Sequence, residues 1–347
     1  MQNIRAVKIG KVIMGGGFPV SVQTMWKEKL AAIDDAVIAR IGRLEALGCD
    51  LLRFAVPDLE AAETLGGLAA LVQMPLVADI HFDWRIALRC LDFPIAKIRI
   101  NPGNIGARWK VEEVLTKARD RGAPIRIGVN AGSLPEDLRA RPDRAAAIVE
   151  AAERELAVFE AFGFGDVVVS MKASDVPTTL EVNRLFAARH DYPLHLGVTE
   201  AGPLIAGVVK NTAALVPLLR EGLGATIRVS LSDSMESEVL AAREILSCAG
   251  LARPGISIVS CPRCGRASFD THAFTARWAE RLYALGKTAT VAVMGCVVNG
   301  PGEARHADLG ITGAGDKVVI FRRGEIVRTI DPKDADTVFA EELEKLE

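Results

Sequence analysis

Three cysteines and one glutamate in the last quarter of the chain have the side chains best suited to hold a metal centre. Cys261 and Cys264 form a Cys-x-x-Cys pair, and Cys296 precedes a Gly-Pro-Gly bend that is followed by Glu303. Two thiolates at this spacing can bind one metal site, and a third can reach it from a second loop. The pattern therefore favours an iron–sulfur cluster and one-electron chemistry.

A structural zinc site is the alternative interpretation of the same residues, because Cys-Pro-x-Cys-Gly is also a zinc-knuckle pattern. A closed zinc site needs a second pair of ligands, but after Cys264 the sequence offers only Cys296 as a thiol, with His272 and His306 isolated. Three thiolates and an exchangeable or oxygen ligand suit a catalytic cluster better. The remaining cysteines lie in segments typical of buried thiols: Cys49, Cys90 and Cys248.

The composition of the 347-residue chain argues against several classes of protein. Half of the residues are hydrophobic, a quarter are charged and the net charge is −2, so a large core is available and no global field favours nucleic acid or a membrane surface. The N-terminus lacks a signal-peptide layout, and no apolar run approaches membrane-spanning length. We predict a soluble cytoplasmic protein, in a compartment that keeps thiols reduced.

Eight short β-branched runs alternate with longer amphipathic segments rich in Ala and Leu, as expected of β/α units around a parallel sheet. Eight such units in about 250 residues are typical of a TIM (β/α)8 barrel. A doubly wound sheet is the alternative, but no Gly-x-Gly-x-x-Gly turn follows the first strand. The eight predicted strands cover residues 20–24, 51–56, 76–80, 96–100, 125–129, 167–170, 194–198 and 226–230.

The segment Arg253-Pro-Gly255 interrupts the chain after the eighth unit. We place a domain boundary there, with a barrel over 1–253 and a small α+β domain over 254–347. Both cysteine motifs follow predicted strands of the second domain, so the metal centre is expected at one edge of it. In this domain the pattern predicts a helix around 273–285 and strands over 256–260, 290–294, 317–321 and 325–330.

Polar residues gather at or beyond the ends of the predicted barrel strands, where this fold carries its active sites. Four arginines lie within strands, and an inward ring of them would bind phosphate oxygens bidentately, which suits a diphosphate. Glu200 is the acid near this ring, a candidate for proton transfer or for holding a hydroxyl group. Its alternative role is an ion pair with an arginine. The predicted ring contains Arg53, Arg99, Arg126 and Arg228, with Lys172 and His81.

Taken together, these motifs resemble the bacterial two-domain 4-hydroxy-3-methylbut-2-enyl diphosphate synthases of the methylerythritol phosphate route to isoprenoids. The resemblance implies reductive ring opening of 2-C-methyl-D-erythritol 2,4-cyclodiphosphate, with two electrons delivered by flavodoxin or ferredoxin through a [4Fe–4S] cluster. It also implies a head-to-tail homodimer in which each cluster domain caps the partner's barrel. The matching segments are 77–83, 97–106, 126–133, 169–175, 194–202, 261–266 and 294–303.

The resemblance also implies a role for each site residue. Glu200 would protonate or orient the departing hydroxyl, and Asn299 would lie beside the substrate. The cluster would be held by Cys261, Cys264, Cys296 and Glu303. Substrate oxygens would be held by Arg53, His81, Arg99, Arg126, Asn130, Lys172, Ser230 and Ser232, with Arg228 completing the ring.

One departure from the family is visible after the first strand. This chain has Trp26-Lys27-Glu28 where the family more often carries small polar residues, so we expect the first β/α loop to contact substrate or partner differently. Two other hypotheses stay open. The first is a non-redox barrel enzyme for a phosphorylated substrate with a structural zinc tail. The second is a binding module whose cysteine domain recruits protein or RNA, which the absence of a basic tract disfavours.

Overall fold

A computed structural model describes residues 4–346, apart from the side chains of Ser133 and Glu303. These residues form two compact units that divide between Ala252 and Arg253. In this part of the chain no helix is long and apolar enough to cross a lipid bilayer.

The first unit begins with an antiparallel hairpin of β1 (Val7–Ile9) and β2 (Val12–Met14). A parallel barrel of eight strands follows. In the order β8-β7-β6-β5-β4-β3-β10-β9 each strand pairs with the next, and a bridge between Val169 and Leu194 joins the two ends of this order. The predicted (β/α)8 barrel is confirmed. Its strands are β3 (Ser21–Met25), β4 (Leu51–Ala55), β5 (Leu76–Asp79), β6 (Lys97–Ile100), β7 (Ile125–Asn130), β8 (Val167–Lys172), β9 (His195–Leu196) and β10 (Thr226–Ile227).

Helices follow the strands and surround the barrel. Several begin at an aspartate whose carboxylate accepts a backbone N–H of the first turn, as at Asp34, Asp58 and Asp175, and such caps fix where each β/α loop ends. The helices are α1 (Asp35–Ala46), α2 (Leu59–Leu71), α3 (Trp84–Cys90), α4 (Pro102–Ile105), α5 (Arg108–Arg121), α6 (Glu136–Arg139), α7 (Arg144–Ala161), α8 (Val176–Ala187), α9 (Leu204–Arg220) and α10 (Met235–Cys248).

The barrel interior changes from apolar to polar along its axis. At the amino ends of the strands, Leu51, Val77 and Val168 pack against the hairpin residues Ile9 and Met14. The next layer contains buried polar groups: Lys97 is fully buried, with Nζ 3.5 Å from Gln23 Oε1, and His195 is also fully buried. The polar layers lead to the carboxyl ends of the strands, where the site lies.

The second unit is a five-stranded sheet in the order β11-β12-β13-β14-β15, in which β11, β12 and β13 are parallel and the remaining pairs are antiparallel. One face packs against two helices through Phe274, Trp278 and Phe339. The elements are β11 (Ile256–Ser260), α11 (Thr271–Tyr283), β12 (Ala289–Met294), β13 (Leu309–Ala314), β14 (Lys317–Arg322), β15 (Glu325–Ile330) and α12 (Ala335–Glu344), with a π-helix over Val298–Glu303 between β12 and β13.

Candidate active site

A cavity of about 220 Å³ opens at the carboxyl ends of the barrel strands. Eight of the predicted substrate-binding residues line it, together with Met25, Asp79, Gly128, Ser170 and Thr199. Ser232 and Glu200 do not line this cavity, and both are exposed. The eight lining residues are Arg53, His81, Arg99, Arg126, Asn130, Lys172, Arg228 and Ser230.

Asp79 neutralises one side of the cavity. Its carboxylate lies 3.0 Å from Arg99 Nη1 and 3.5 Å from Arg53 Nε, and His81 Nε2 is 3.7 Å away. Burial raises the pKa of Asp79, but the charges of Arg53 and Arg99 outweigh burial and hold that pKa below its usual value. Asp79 is therefore a carboxylate that orients two of the ring arginines.

Arg126 and Lys172 are two further buried cations of the cavity. Arg126 is 3% exposed, and its Nε and Nη1 find no hydrogen-bond partner among the described residues. Burial, followed by the charge of Arg126, lowers the pKa of Lys172 well below its usual value. Burial also lowers the pKa of Arg53, to about 10. Buried donors without acceptors are costly, so this arrangement suits an anionic ligand that supplies the acceptors.

Gly197 makes room for the lysine. A Cβ at this position would lie 2.5 Å from the Arg228 carbonyl oxygen and 2.7 Å from Lys172 Nζ, and both distances are closer than real Cβ atoms approach. The absence of a side chain beyond β9 thus lets the Lys172 ammonium enter the cavity. The sequence shows only a glycine within 194–198, so its packing role was not predicted.

Glu238 is a site residue that sequence reasoning missed. It is 1% exposed on α10, and its carboxylate lies 3.2 Å from Arg228 Nη2. A signal was present, because Glu238 occupies the buried face of α10 beside Met235, Val239 and Ala242. An acid on the apolar face of an amphipathic helix is rarely buried without a partner.

Glu200 follows β9 in a left-handed backbone conformation, with φ of 52°. Among the described residues only two other non-glycine residues have positive φ, Arg263 at 55° and Arg323 at 48°. Such conformations are costly and are common at functional sites. Glu200 and Arg263 both lie in motifs that the sequence singled out, and Arg263 stands between Cys261 and Cys264.

The cysteine motifs lie at one edge of the second unit. Cys261 follows β11 and Cys296 follows β12, and because these neighbouring strands are parallel, their carboxyl ends meet at the same edge. The Gly295 N–H donates to Cys261 Sγ at 3.0 Å. The backbone N–H of Asn299 lowers the pKa of the Cys296 thiol. Val298 and Arg266 lower this pKa further, and together these groups outweigh burial, which raises it.

Two family models cover most of the chain. The first, described as the GcpE TIM-barrel domain, matches residues 4–243. The second, described as the GcpE protein C-terminal domain, matches residues 257–345. The chain belongs to the GcpE family.

Curated GcpE relatives are similar over nearly their whole length. The chain is 54% identical over 367 residues to a protein of Treponema pallidum, with 99% of this chain and 90% of the relative covered. It is 46% identical over 346 residues to a protein of Thermodesulfovibrio yellowstonii, with 99% of each covered. Both relatives are named 4-hydroxy-3-methylbut-2-en-1-yl diphosphate synthase (flavodoxin).

Solved structures support the barrel fold alone. The spore coat polysaccharide biosynthesis protein SpsE of Bacillus subtilis matches with a TM-score of 0.51 and 12% identity, over 72% of this chain and 75% of that protein. Dihydropteroate synthase of Yersinia pestis matches with a TM-score of 0.50 and 14% identity, over 71% and 97%. At these identities the likeness extends to architecture and not to chemistry.

The residues of this GcpE chain fit a sulfur-ligated cluster in donor type, and two of the thiols, Cys261 and Cys296, follow neighbouring parallel strands. Among the described residues, no three His, Cys, Asp or Glu side chains converge as a metal site, and the Glu303 side chain lies outside the described part. However, a backbone N–H donates to Cys261 Sγ, two backbone N–H groups contact the Cys296 thiol, and a Cβ at Gly295 would lie 3.4 Å from Cys261 Sγ. Hydrogen bonds to sulfur and a close backbone are features of cluster sites.

The other thiols of the chain divide between buried and exposed. Cys49 and Cys90 are buried, as predicted. For Cys248 the prediction of burial is wrong, since this thiol is exposed where α10 ends. None of the three belongs to the edge that carries Cys261 and Cys296.

Proposed function

We propose that this chain catalyses the reductive ring opening of 2-C-methyl-D-erythritol 2,4-cyclodiphosphate to 4-hydroxy-3-methylbut-2-enyl diphosphate. The observation that carries the proposal is the cavity whose cations exceed its acids and whose buried Arg126 donors lack acceptors. The names of the GcpE relatives supply the product. The proposal also places the protein in the cytoplasm, where its thiols stay reduced.

The cation ring would hold the two phosphates. Arg126 offers two free guanidinium nitrogens, and Lys172 would add a point charge whose protonated form the anion stabilises. Asp79 keeps Arg53 and Arg99 oriented while leaving the net charge of the cavity positive. Asn130 and Ser230 line the same cavity and can contact hydroxyl groups.

In the reaction a ring C–O bond to phosphate breaks, a hydroxyl leaves the adjacent carbon as water after taking one proton, and a C=C bond forms. Two electrons balance this change. A [4Fe–4S] cluster would supply them one at a time, held by Cys261, Cys264, Cys296 and Glu303. Glu200 would give the proton to the departing hydroxyl, and Asn299 would lie beside the substrate.

The test is anaerobic turnover of the cyclic diphosphate by the reconstituted protein, followed by phosphorus NMR. We expect the linear allylic diphosphate when reduced flavodoxin is the donor, and a parallel reaction with ferredoxin ranks the two donors. A colourless protein that binds zinc and returns the substrate unchanged would favour the structural-zinc alternative.

The proposal includes a head-to-tail homodimer, in which each active site combines one chain's barrel with the partner's cluster domain. Mixing two inactive variants tests it. Glu200→Gln damages only the barrel and Cys296→Ser only the cluster domain, so a mixed dimer of this kind contains one complete site. Activity should return after mixing and subunit exchange. If sites were built within one chain, the mixture would stay inactive.

A further inference from the structure

A single buried carboxylate, that of Glu238, contacts donors from two neighbouring β/α units, the first and the last. Glu238 accepts hydrogen bonds from Thr24 Oγ1 at 2.6 Å and from the Leu231 backbone N–H at 3.0 Å. The same carboxylate lies 3.0 Å from Lys27 Nζ and 3.2 Å from Arg228 Nη2. Of these four donors only Arg228 lines the cationic cavity. Glu238 therefore links that arginine to the surrounding scaffold.

Lys27 makes further contacts with the loop that follows β10. Its Nζ also donates to the carbonyl oxygens of Leu231, at 2.9 Å, and of Asp233. Lys27 follows β3, whereas Leu231 and Asp233 follow β10, and these two strands are neighbours in the barrel. Lys27 thus links the first and the last β/α loops.

We propose that Glu238 is a positioning residue for substrate binding and that Lys27 holds its carboxylate in place. The inference rests on the proposed function, because it concerns how the diphosphate is held. With Nη2 fixed by Glu238, the Arg228 guanidinium has one settled orientation, and its Nε is buried without a partner in the described structure. A preorganised guanidinium binds an anion without first losing rotamer freedom.

The direction in which Glu238→Gln changes the affinity for an anion distinguishes a positioning role from simple charge balance. If Glu238 served only to offset the cations, then Glu238→Gln would make the cavity more positive and would tighten anion binding. If Glu238 positions Arg228, the same change removes a charge-assisted bond and lets the guanidinium turn away, so anion binding weakens. The two roles therefore predict opposite changes.

The experiment measures KM and kcat of the anaerobic holoenzyme, and Kd for inorganic pyrophosphate by calorimetry. For Glu238→Gln we expect KM and Kd to rise by about tenfold, as for one charge-assisted hydrogen bond, with kcat within about twofold. Glu236→Gln is the matched control, because Glu236 lies on the same helix and pairs with Arg40 at 3.2 Å, away from the cavity. It should leave all three constants unchanged.

Lys27 supplies the second, independent variant. Lys27→Met should raise KM and Kd in the same direction, Lys27→Arg should restore them in large part, and the double variant with Glu238→Gln should be less than additive. Unchanged or tighter pyrophosphate binding in Glu238→Gln overturns the inference, and should that variant fail to fold, unchanged binding in Lys27→Met does so. A wild-type holoenzyme that binds pyrophosphate but does not turn over would instead refute the proposed function.

Discussion

The guanidinium of Arg99 occupies the space that a side chain at residue 128 would need. A Cβ at Gly128 would lie 3.1 Å from Arg99 Nε and 3.2 Å from Arg99 Nη2. Arg99 in turn donates to Asp79 at 3.0 Å. The position of one ring arginine thus depends on a glycine in the next strand, β7, as well as on its ion pair.

Gly128→Ala should therefore impair substrate binding more than folding. The added methyl group pushes the Arg99 guanidinium by a few tenths of an ångström, while the strand backbone at residue 128 accepts alanine because its φ is not positive. We expect KM to rise by about tenfold, equivalent to one weakened charge-assisted bond, with little change in Tm. Gly132→Ala is the control, since a Cβ there would meet nothing within 4 Å. Equal KM values for both variants would contradict this role of Gly128.

Anion binding should depend on pH through Lys172. In the free protein, burial and the charge of Arg126 lower the pKa of Lys172, and a bound phosphate raises it again. Between these two values binding takes up a proton, so the affinity falls by up to about tenfold per pH unit as pH rises. Arg53, with a pKa of about 10, stays charged at neutral pH.

Calorimetry in buffers of different ionisation enthalpy measures that proton uptake with pyrophosphate as the ligand. Lys172→Met should bind more weakly and take up fewer protons than the wild type, whereas Lys172→Arg should keep the affinity with the same smaller uptake, because the ionisation of pyrophosphate itself is common to all three proteins. If Lys172→Met shows the pH dependence of the wild type, another group titrates.

Glu200 and Arg126 should separate kinetically. Glu200→Gln removes a group used mainly in the transition state and should lower kcat by about 10²–10⁴-fold, whereas Arg126→Ala removes substrate binding and should mainly raise KM. Glu221→Gln, which alters only a surface pair with Arg184, is the control. A Glu200→Gln enzyme with an intact cluster and kcat within about threefold of wild type lies well outside that range and would leave Glu200 a structural residue.

Glu303 is predicted to be an exchangeable ligand. A carboxylate binds cluster iron more weakly than a thiolate does, so it can yield to a substrate oxygen. Glu303→Cys should keep iron and sulfide at wild-type levels but turn over poorly. Iron content and turnover are measured on the same sample of Glu303→Cys. Full activity in this variant would show that ligand exchange at this position is unnecessary.

The barrel was predictable because its strands are β-branched runs with regular spacing, and each predicted run overlaps a strand. The hairpin Val7–Ile9 and Val12–Met14 was missed, since two three-residue strands carry too little periodicity. Strand Leu309–Ala314 was missed because two glycines lower its strand propensity. In the fold those glycines allow close packing, Gly310 beneath the Phe321 ring and Gly313 against Ser268.

The cationic side chains of the cavity were predictable, because a charged side chain within an apolar strand must point either outward between the helices or inward toward a ligand. The acidic residues that orient these cations were not predicted. Asp79 has no role among the predicted site residues, and Glu238 lies on α10, ten residues after Arg228, where its burial is visible in the helix pattern but its choice of partner depends on the tertiary fold. Packing roles of Gly128 and Gly197 likewise exist only once neighbouring strands are placed.

The central claim is that the cysteines of the second unit hold the cluster that reduces the substrate. The most direct measurement is iron and labile sulfide per chain, with turnover of the cyclic diphosphate, in anaerobic Cys296→Ser and in Cys248→Ser, whose exposed thiol lies where α10 ends. We predict that Cys296→Ser loses iron, sulfide and activity together while Cys248→Ser keeps all three. Wild-type iron and sulfide in Cys296→Ser would contradict the account.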